Sequence, residues 1–150
     1  MPKEIMEAYG VEHPAPHRGK VSDALLFSAL LAAPLAWAAQ LLLNYALAAN
    51  ACFPKEAPKG APGPGWEWLE PGLLTINLTA LAVALAATLV AAAMWRRTSE
   101  EAHGGHDRLI DVGHGRTRFF AIWGVWSGVW FIIQILFGTI AAIGAPGCGS

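Results

Sequence analysis

Three long runs of apolar residues dominate the chain, and charged residues are confined to the segments around them. The runs lie within positions 24–54, 71–95 and 119–150, and none of these windows contains Asp, Glu, Lys or Arg. A bilayer core about 30 Å thick needs about 20 apolar residues in a helix. No run alternates apolar and polar positions as a strand does, and a backbone in lipid must satisfy its own hydrogen bonds. The pattern therefore predicts an all-α integral membrane protein with three transmembrane helices.

The polar segments set the predicted boundaries of seven parts. The transmembrane helices are predicted at 23–50, 72–96 and 118–144. Two tails and two loops make up the rest: 1–22, 51–71, 97–117 and 145–150. The 51–71 loop is rich in Pro and Gly, which favours an extended coil over a folded domain.

Basic residues predict the orientation, because Lys and Arg concentrate on the cytoplasmic side of membrane helices. Eight of the ten Lys and Arg residues lie in the N-terminal tail or in and beside the 97–117 loop, and only Lys55 and Lys59 lie in the 51–71 loop. We therefore predict a multi-pass protein of the bacterial inner membrane with a cytoplasmic N-terminus and a periplasmic C-terminus. The formal net charge of −1 gives no basic excess, so nucleic acid is not an expected partner.

The two cysteines follow the first and third spans. In the predicted orientation Cys52 and Cys148 both lie at the periplasmic face, which is oxidising in most bacteria. We predict a disulfide between them that joins the outer ends of the first and third helices. No metal site is predicted, since two cysteines without histidines beside them do not form a structural zinc site.

Uncharged polar residues mark one face of the first span. Trp37, Gln40 and Asn44 recur at helical spacing. Amides in hydrocarbon usually form hydrogen bonds between helices, so the first interpretation is that Gln40 and Asn44 pack against another helix or a partner subunit. The alternative is a polar lining for a quinone or a proton path.

The second span offers small side chains and one polar tripeptide. Ala80, Ala84 and Ala87 allow another helix to approach closely. Asn77-Leu78-Thr79 matches the glycosylation tripeptide, but it lies within a predicted span, so we assign it no role.

The third span combines glycines with an aromatic stripe. Gly124 and Gly128 form a small-xxx-small pair, which predicts close helix packing. Three tryptophans at helical spacing form a stripe, and a glutamine continues it one turn further on. The stripe either anchors and packs the helix or contacts a lipid or quinone. These residues are Trp123, Trp126, Trp130 and Gln134.

No catalytic arrangement is predicted for this chain. The charge-free windows contain no histidine either, so the spans lack the groups that proton pumps, ion carriers and haem anchors use. The 97–117 loop carries a polar cluster, which we interpret as a surface or partner-docking segment because its glycines favour flexibility over a preformed metal site. The cluster comprises His103, His106, Asp107, Asp111 and His114.

Three strings give the chain a resemblance to a known group of proteins. They are APLAWAAQLLLNYALAANACFP, the entry GRTRFFAIWG to the third span, and the closing PGC. The chain resembles small three-span bacterial inner-membrane proteins that accompany cytochrome c oxidase and related respiratory genes. The resemblance implies an accessory subunit and transfers no catalytic residue.

These observations predict a non-catalytic subunit of a membrane respiratory complex, in particular a haem–copper terminal oxidase. Its expected partners are larger membrane redox subunits and lipids. Haem and copper are expected only in those partner subunits, with no cofactor bound by this chain alone. The alternatives are a quinone- or lipid-binding membrane protein, which would use the tryptophan stripe and Gln40, and a small membrane assembly factor.

Overall fold

Three α-helices account for most of the described part of the chain. The computed structural model describes residues 22–53, 60–97, 116–144 and 148. The helices are α1 (Asp23–Cys52), α2 (Leu69–Arg97) and α3 (Arg116–Gly144). Within the described ranges there is no β-strand. All three helices are long and apolar enough to cross a membrane, which confirms the predicted all-helical fold with three candidate spans.

The helices extend beyond most of the predicted span boundaries. α2 begins three residues before position 72, and α1 continues two residues past position 50. The predicted limits followed the charge-free windows, whereas a helix continues until its backbone leaves the helical conformation. Glu70 in the first turn of α2, and Arg96 and Arg97 in its last turn, have the signs that suit the helix dipole. At 1.5 Å per residue each helix is about 43–45 Å long, so one or two turns lie outside a hydrocarbon core of about 30 Å on each side.

Each helix packs against the other two, and small residues form the contacts. α2 buries residues at helical spacing along one side, among them the three alanines noted in the sequence. The buried residues of α2 are Leu69, Asn77, Ala80, Ala84, Ala87, Ala91 and Met94. Near the middle of the bundle, Ala33 of α1 and Ile135 of α3 join Ala80 and Ala84 in one buried cluster. Small side chains at these positions let the three backbones approach closely.

Two further clusters define the ends of the bundle. At one end Cys52, Leu69 and Ala51 pack together with Cys148 beside them, and we call this the disulfide end. At the other end Leu26, Met94 and Ala121 pack together. We call this second end the arginine end, because α2 finishes there on two arginines. α1 and α3 therefore run parallel to each other, and α2 runs antiparallel to both.

A disulfide joins Cys52 to Cys148, with 4.9 Å between their Cα atoms. It links the last residue of α1 to the segment after α3, which are the two places that the sequence predicted. Residues 96 positions apart in the chain are thereby held at the same end of the bundle.

We expect this disulfide to be detectable as a mobility difference. The oxidised protein should migrate faster than the reduced protein on a denaturing gel, because the cross-link closes most of the chain into a loop. Cys52→Ser should migrate at the reduced position under both conditions. The chain-entropy estimate for a loop of about 100 residues is about 4.7 kcal/mol. The stabilisation should fall below that value, since a bilayer already restricts the spans. Equal mobility with and without reductant, together with a thiol that alkylates freely, would contradict the prediction.

A tight turn leads into α2 at the disulfide end. Gly65 has a φ of 87°, a conformation that glycine adopts without strain. The Gly65 N–H donates to the Glu67 carboxylate at 3.2 Å. Hydrogen bonds from the backbone N–H groups of Glu67 and Gly65 lower the pKa of this exposed carboxyl. Trp66 and Trp68 stack with ring centroids 5.6 Å apart, so the turn presents an aromatic pair next to the first residue of α2.

Candidate functional site

Three amide side chains meet between the helices in the half of the bundle nearer the disulfide end. Gln40 and Asn44 come from α1, and Asn77 comes from α2. Gln40 and Asn77 are 3% and 1% exposed, and Asn44 is half-buried. Gln40 Nε2 donates to Asn77 Oδ1 and, at 3.4 Å, to the carbonyl oxygen of Ile135 in α3. Asn44 Nδ2 also donates to Asn77 Oδ1, at 3.2 Å. We call these three residues the amide cluster.

The orientation of the amide cluster follows from one backbone carbonyl. Asn77 Nδ2 donates to the Leu73 carbonyl oxygen at 2.6 Å, one turn earlier in α2. This bond turns Asn77 Oδ1 toward α1, where it accepts from both α1 amides. The α1 amides therefore use their nitrogens inside the cluster. Gln40 Oε1 and Asn44 Oδ1 are buried and have no hydrogen-bond partner among the described residues.

A cavity of about 850 Å³ lies beside the amide cluster and extends toward the disulfide end. All three amides line it, together with Gln134 of α3 and Glu70 near its outer end. Most of the remaining wall is apolar or aromatic: Trp37, Leu41, Tyr45, Ala48, Leu73, Leu74, Phe137, Ala142 and Ile143. Cys52 also lines the cavity, so the disulfide lies at the boundary of the site.

Gly138 of α3 makes room for the Gln40 side chain. A Cβ added to Gly138 would lie 2.9 Å from Gln40 Nε2. Any side chain at position 138 would thus displace the amide that links α1 to α2 and to the Ile135 carbonyl. The absence of a side chain here lets all three helices contribute to the polar cluster.

The predicted glycine pair of α3 faces α2. A Cβ on Gly124 would lie 3.1 Å from the Cβ of Ala91, and a Cβ on Gly128 would overlap Thr88 Oγ1. Both glycines are buried. They lie at an α2–α3 contact, which separates them from the amide cluster and gives them a packing role inside the chain.

The tryptophan stripe points away from the bundle. Trp123, Trp126 and Trp130 are 54%, 69% and 60% exposed. Trp123 meets only the neighbouring Phe119 ring in an edge contact, with centroids 6.0 Å apart, among the ring pairs within the described ranges. Gln134, which the sequence grouped with them, is half-buried and lines the cavity. The three tryptophans therefore lie on the outer surface of the bundle, whereas Gln134 lies on the cavity wall.

Asn77 is the functional candidate that sequence reasoning missed. The sequence presented it as part of a tripeptide in the second span, and we assigned it no role. The available signal was chemical, since Asn77 is the only Asn or Gln in α2, whose interior is otherwise apolar apart from threonines. The predicted histidine and aspartate cluster of the 97–117 loop lies outside the described residues. Among those residues no group of three His, Cys, Asp or Glu side chains is placed to hold a metal ion.

Comparison of the chain with protein-family models, with curated proteins and with solved structures gives no match. The geometry of this bundle and its sequence are therefore what indicate its function.

Proposed function

We propose that this chain is a non-catalytic accessory subunit of a membrane respiratory complex, a haem–copper terminal oxidase in particular. In the proposed orientation the arginine end faces the cytoplasm and the disulfide end faces the periplasm, as the distribution of Lys and Arg favours. The partners are larger membrane subunits that carry the haem and copper. A membrane interior without histidine or charged residues supports this role, because redox and proton-transfer chemistry requires such groups.

The position of the tryptophans in α3 is the observation on which the proposal mainly depends. Trp130 is the middle residue of α3, and Trp126 lies about 6 Å from it along the axis. Tryptophans on lipid-facing surfaces concentrate at the membrane interfaces, where the indole N–H meets water or headgroups. A protein surface can accept the N–H hydrogen bonds of two outward-facing indoles at mid-span, whereas lipid tails cannot.

The other helices provide the contrast. The large exposed residues in the interior of α2 are aliphatic, as Leu78, Leu85 and Leu89 illustrate. Leu35 and Leu42 of α1 are similarly exposed, and the exposed aromatic rings of α1, Phe27 and Tyr45, lie nearer its two ends. Aliphatic surfaces suit lipid, so α3 is the helix that we assign to the partner contact.

Purification from native membranes tests the proposal. The tagged chain, extracted in mild detergent, should recover haem-bearing subunits in a fixed stoichiometry. Replacing both Trp126 and Trp130 with leucine should lower that recovery at least about tenfold, because buried tryptophans are typical binding hot spots. The matched control replaces Leu35 and Leu42 with alanine, which changes an equally exposed surface on α1, and should leave the recovery unchanged.

Three outcomes would contradict the accessory-subunit proposal. One is a monodisperse free protein without haem-bearing partners. Another is recovery in substoichiometric amounts only while the complex assembles, which would favour the assembly-factor alternative. The third is an equal loss of partners in the tryptophan and leucine variants, which would remove α3 as the contact surface.

A further inference from the structure

The cavity beside the amide cluster has the size and lining of a small-molecule site. Its volume of about 850 Å³ lies within the range of about 300–1,000 Å³ that is typical of ligand pockets. Such pockets combine an apolar wall with a few polar groups that orient the ligand. Here the apolar wall includes the rings of Trp37, Tyr45 and Phe137, and the polar groups are the amide cluster, Gln134 and Thr139, with Glu70 near the outer end.

The unpartnered atoms of the cluster define what a ligand must supply. Gln40 Oε1 and Asn44 Oδ1 are both carbonyl oxygens, so each can only accept a hydrogen bond. A buried acceptor without a partner carries a desolvation cost that a donor removes. Asn44 is half-buried on the cavity wall, and the terminal torsion of an Asn side chain is broad, so its oxygen can turn toward a bound molecule.

The depth of the cluster favours a neutral ligand group. Asn44 lies eight residues before the end of α1 and Asn77 lies eight residues after the start of α2, which places both about 12 Å from the helix ends at the disulfide end. Gln40 lies one turn deeper. Helices about 43–45 Å long extend about 7 Å beyond each face of a hydrocarbon core about 30 Å thick, so the cluster lies within the core. The ammonium group of a lipid is costly there, whereas a hydroxyl group on a ring is not charged.

We propose that this cavity binds a neutral hydroxylated amphiphile of the isoprenoid quinol class. Its ring lies among the aromatic side chains of the cavity, its hydroxyl groups donate to Gln40 and Asn44, and its apolar tail leaves between the helices. The oxidised quinone has two carbonyl oxygens and no ring hydroxyl, so it can accept from a donor such as Gln134 but leaves Gln40 Oε1 and Asn44 Oδ1 without a partner. The site therefore prefers the reduced form. No electron transfer is assigned to this chain, and the inference is independent of the partner surface on α3.

Binding to the purified chain in detergent tests the inference without any partner subunit. Decylubiquinol and decylubiquinone are titrated separately under anaerobic conditions by calorimetry. Decylubiquinol should bind with one-to-one stoichiometry and at least about tenfold more tightly than decylubiquinone, because one or two net hydrogen bonds distinguish the two forms. Asn44→Leu, which removes one acceptor, should bring the two affinities to within about threefold of each other.

A pair of size-matched variants locates the binding. Ala48→Phe places a ring in the cavity and should reduce decylubiquinol binding below detection. Ala39→Phe makes the same change on the exposed side of α1, outside the cavity, and should bind as the wild type does. Formation of the Cys52–Cys148 disulfide in each variant verifies that the bundle has folded.

Several results would overturn the quinol assignment. Equal affinity of the wild type for both redox forms would remove the role of the acceptor oxygens, and undiminished binding in folded Ala48→Phe would place the ligand elsewhere. Binding of phosphatidylethanolamine in nanodiscs, with loss upon Ala48→Phe and without competition from decylubiquinol, would make the cavity a lipid site. Absence of binding by either quinone form would also refute the assignment.

Discussion

We expect the Asn77→Leu variant to lose about 2 kcal/mol of its free energy of unfolding, because the Asn77 side chain of α2 accepts hydrogen bonds from two amides of α1. Asn77 Oδ1 accepts from Gln40 and Asn44, and both amides would then face an apolar side chain. Leucine has the same branched outline as asparagine, with two methyl groups in place of the amide oxygen and nitrogen, so the change removes hydrogen bonds without opening a cavity. Titration of the purified protein with SDS in mixed micelles, followed by far-UV circular dichroism, measures the difference.

Asn50→Leu is the matched control for this prediction. Asn50 Nδ2 donates to the carbonyl oxygen of Ala46 one turn earlier, just as Asn77 Nδ2 donates to that of Leu73. Asn50 is exposed and this hydrogen bond stays within α1, so its replacement should change stability by less than about 0.5 kcal/mol. Equal midpoints for the wild type and Asn77→Leu would show that the amide cluster does not hold the bundle together.

A triple variant separates lost hydrogen bonds from lost packing. Replacing Gln40, Asn44 and Asn77 together with leucine removes the donors as well as the acceptor, so no amide is left buried without a partner. Removing both partners of a buried hydrogen bond can be nearly neutral, whereas removing one leaves the other unsatisfied. We therefore expect the triple variant to be more stable than Asn77→Leu alone. A triple variant less stable than the single one would indicate that side-chain shape, and not hydrogen bonding, determines the effect.

The number of helices and the pairing of the cysteines could be predicted from the sequence, because both depend on local features of the chain. Charge-free windows longer than a bilayer core specify spans wherever they occur, since lipid excludes other backbone structures. Cys52 and Cys148 each follow a span of odd number, so any three-span topology brings them to one side of the membrane. Neither inference requires knowledge of how the helices are rotated about their axes.

The sequence assigned Gln40 and Asn44 to a packing face, but Asn77 as their partner and the cavity could not be predicted because both depend on that rotation. In lipid, an apolar helix can present any face to its neighbours, and the period of its residues does not identify the inner one. Asn77 points inward because the small residues Ala80, Ala84 and Ala87 continue its face of α2. Gln134 and Trp130 lie one turn apart on α3, yet one lines the cavity and the other is 60% exposed. Only the packed bundle distinguishes them.

The second large effect is expected at the closest approach of α2 and α3. Gly128→Ala should destabilise the protein by about 2 kcal/mol, because a Cβ there would overlap Thr88 Oγ1 and lie 3.0 Å from Thr88 Cβ. Alanine has the higher helix propensity, so an intrinsic effect alone would have the opposite sign. Unfolding in SDS measures the change. Gly144→Ala is the control, since a Cβ at that position has no described atom within 4 Å.

A second substitution on α2 identifies the source of the strain. Thr88→Ala removes two of the three atoms nearest to the added Cβ, Oγ1 and the methyl group at 3.2 Å, and it keeps the Thr88 Cβ. Combined with Gly128→Ala, it should restore more than half of the lost stability, so the two changes should be strongly non-additive. Gly124→Ala meets only the Ala91 Cβ at 3.1 Å, and its cost should fall between those of Gly128→Ala and Gly144→Ala. Additive effects at positions 88 and 128 would contradict a direct contact between α2 and α3 there, since independent sites do not couple.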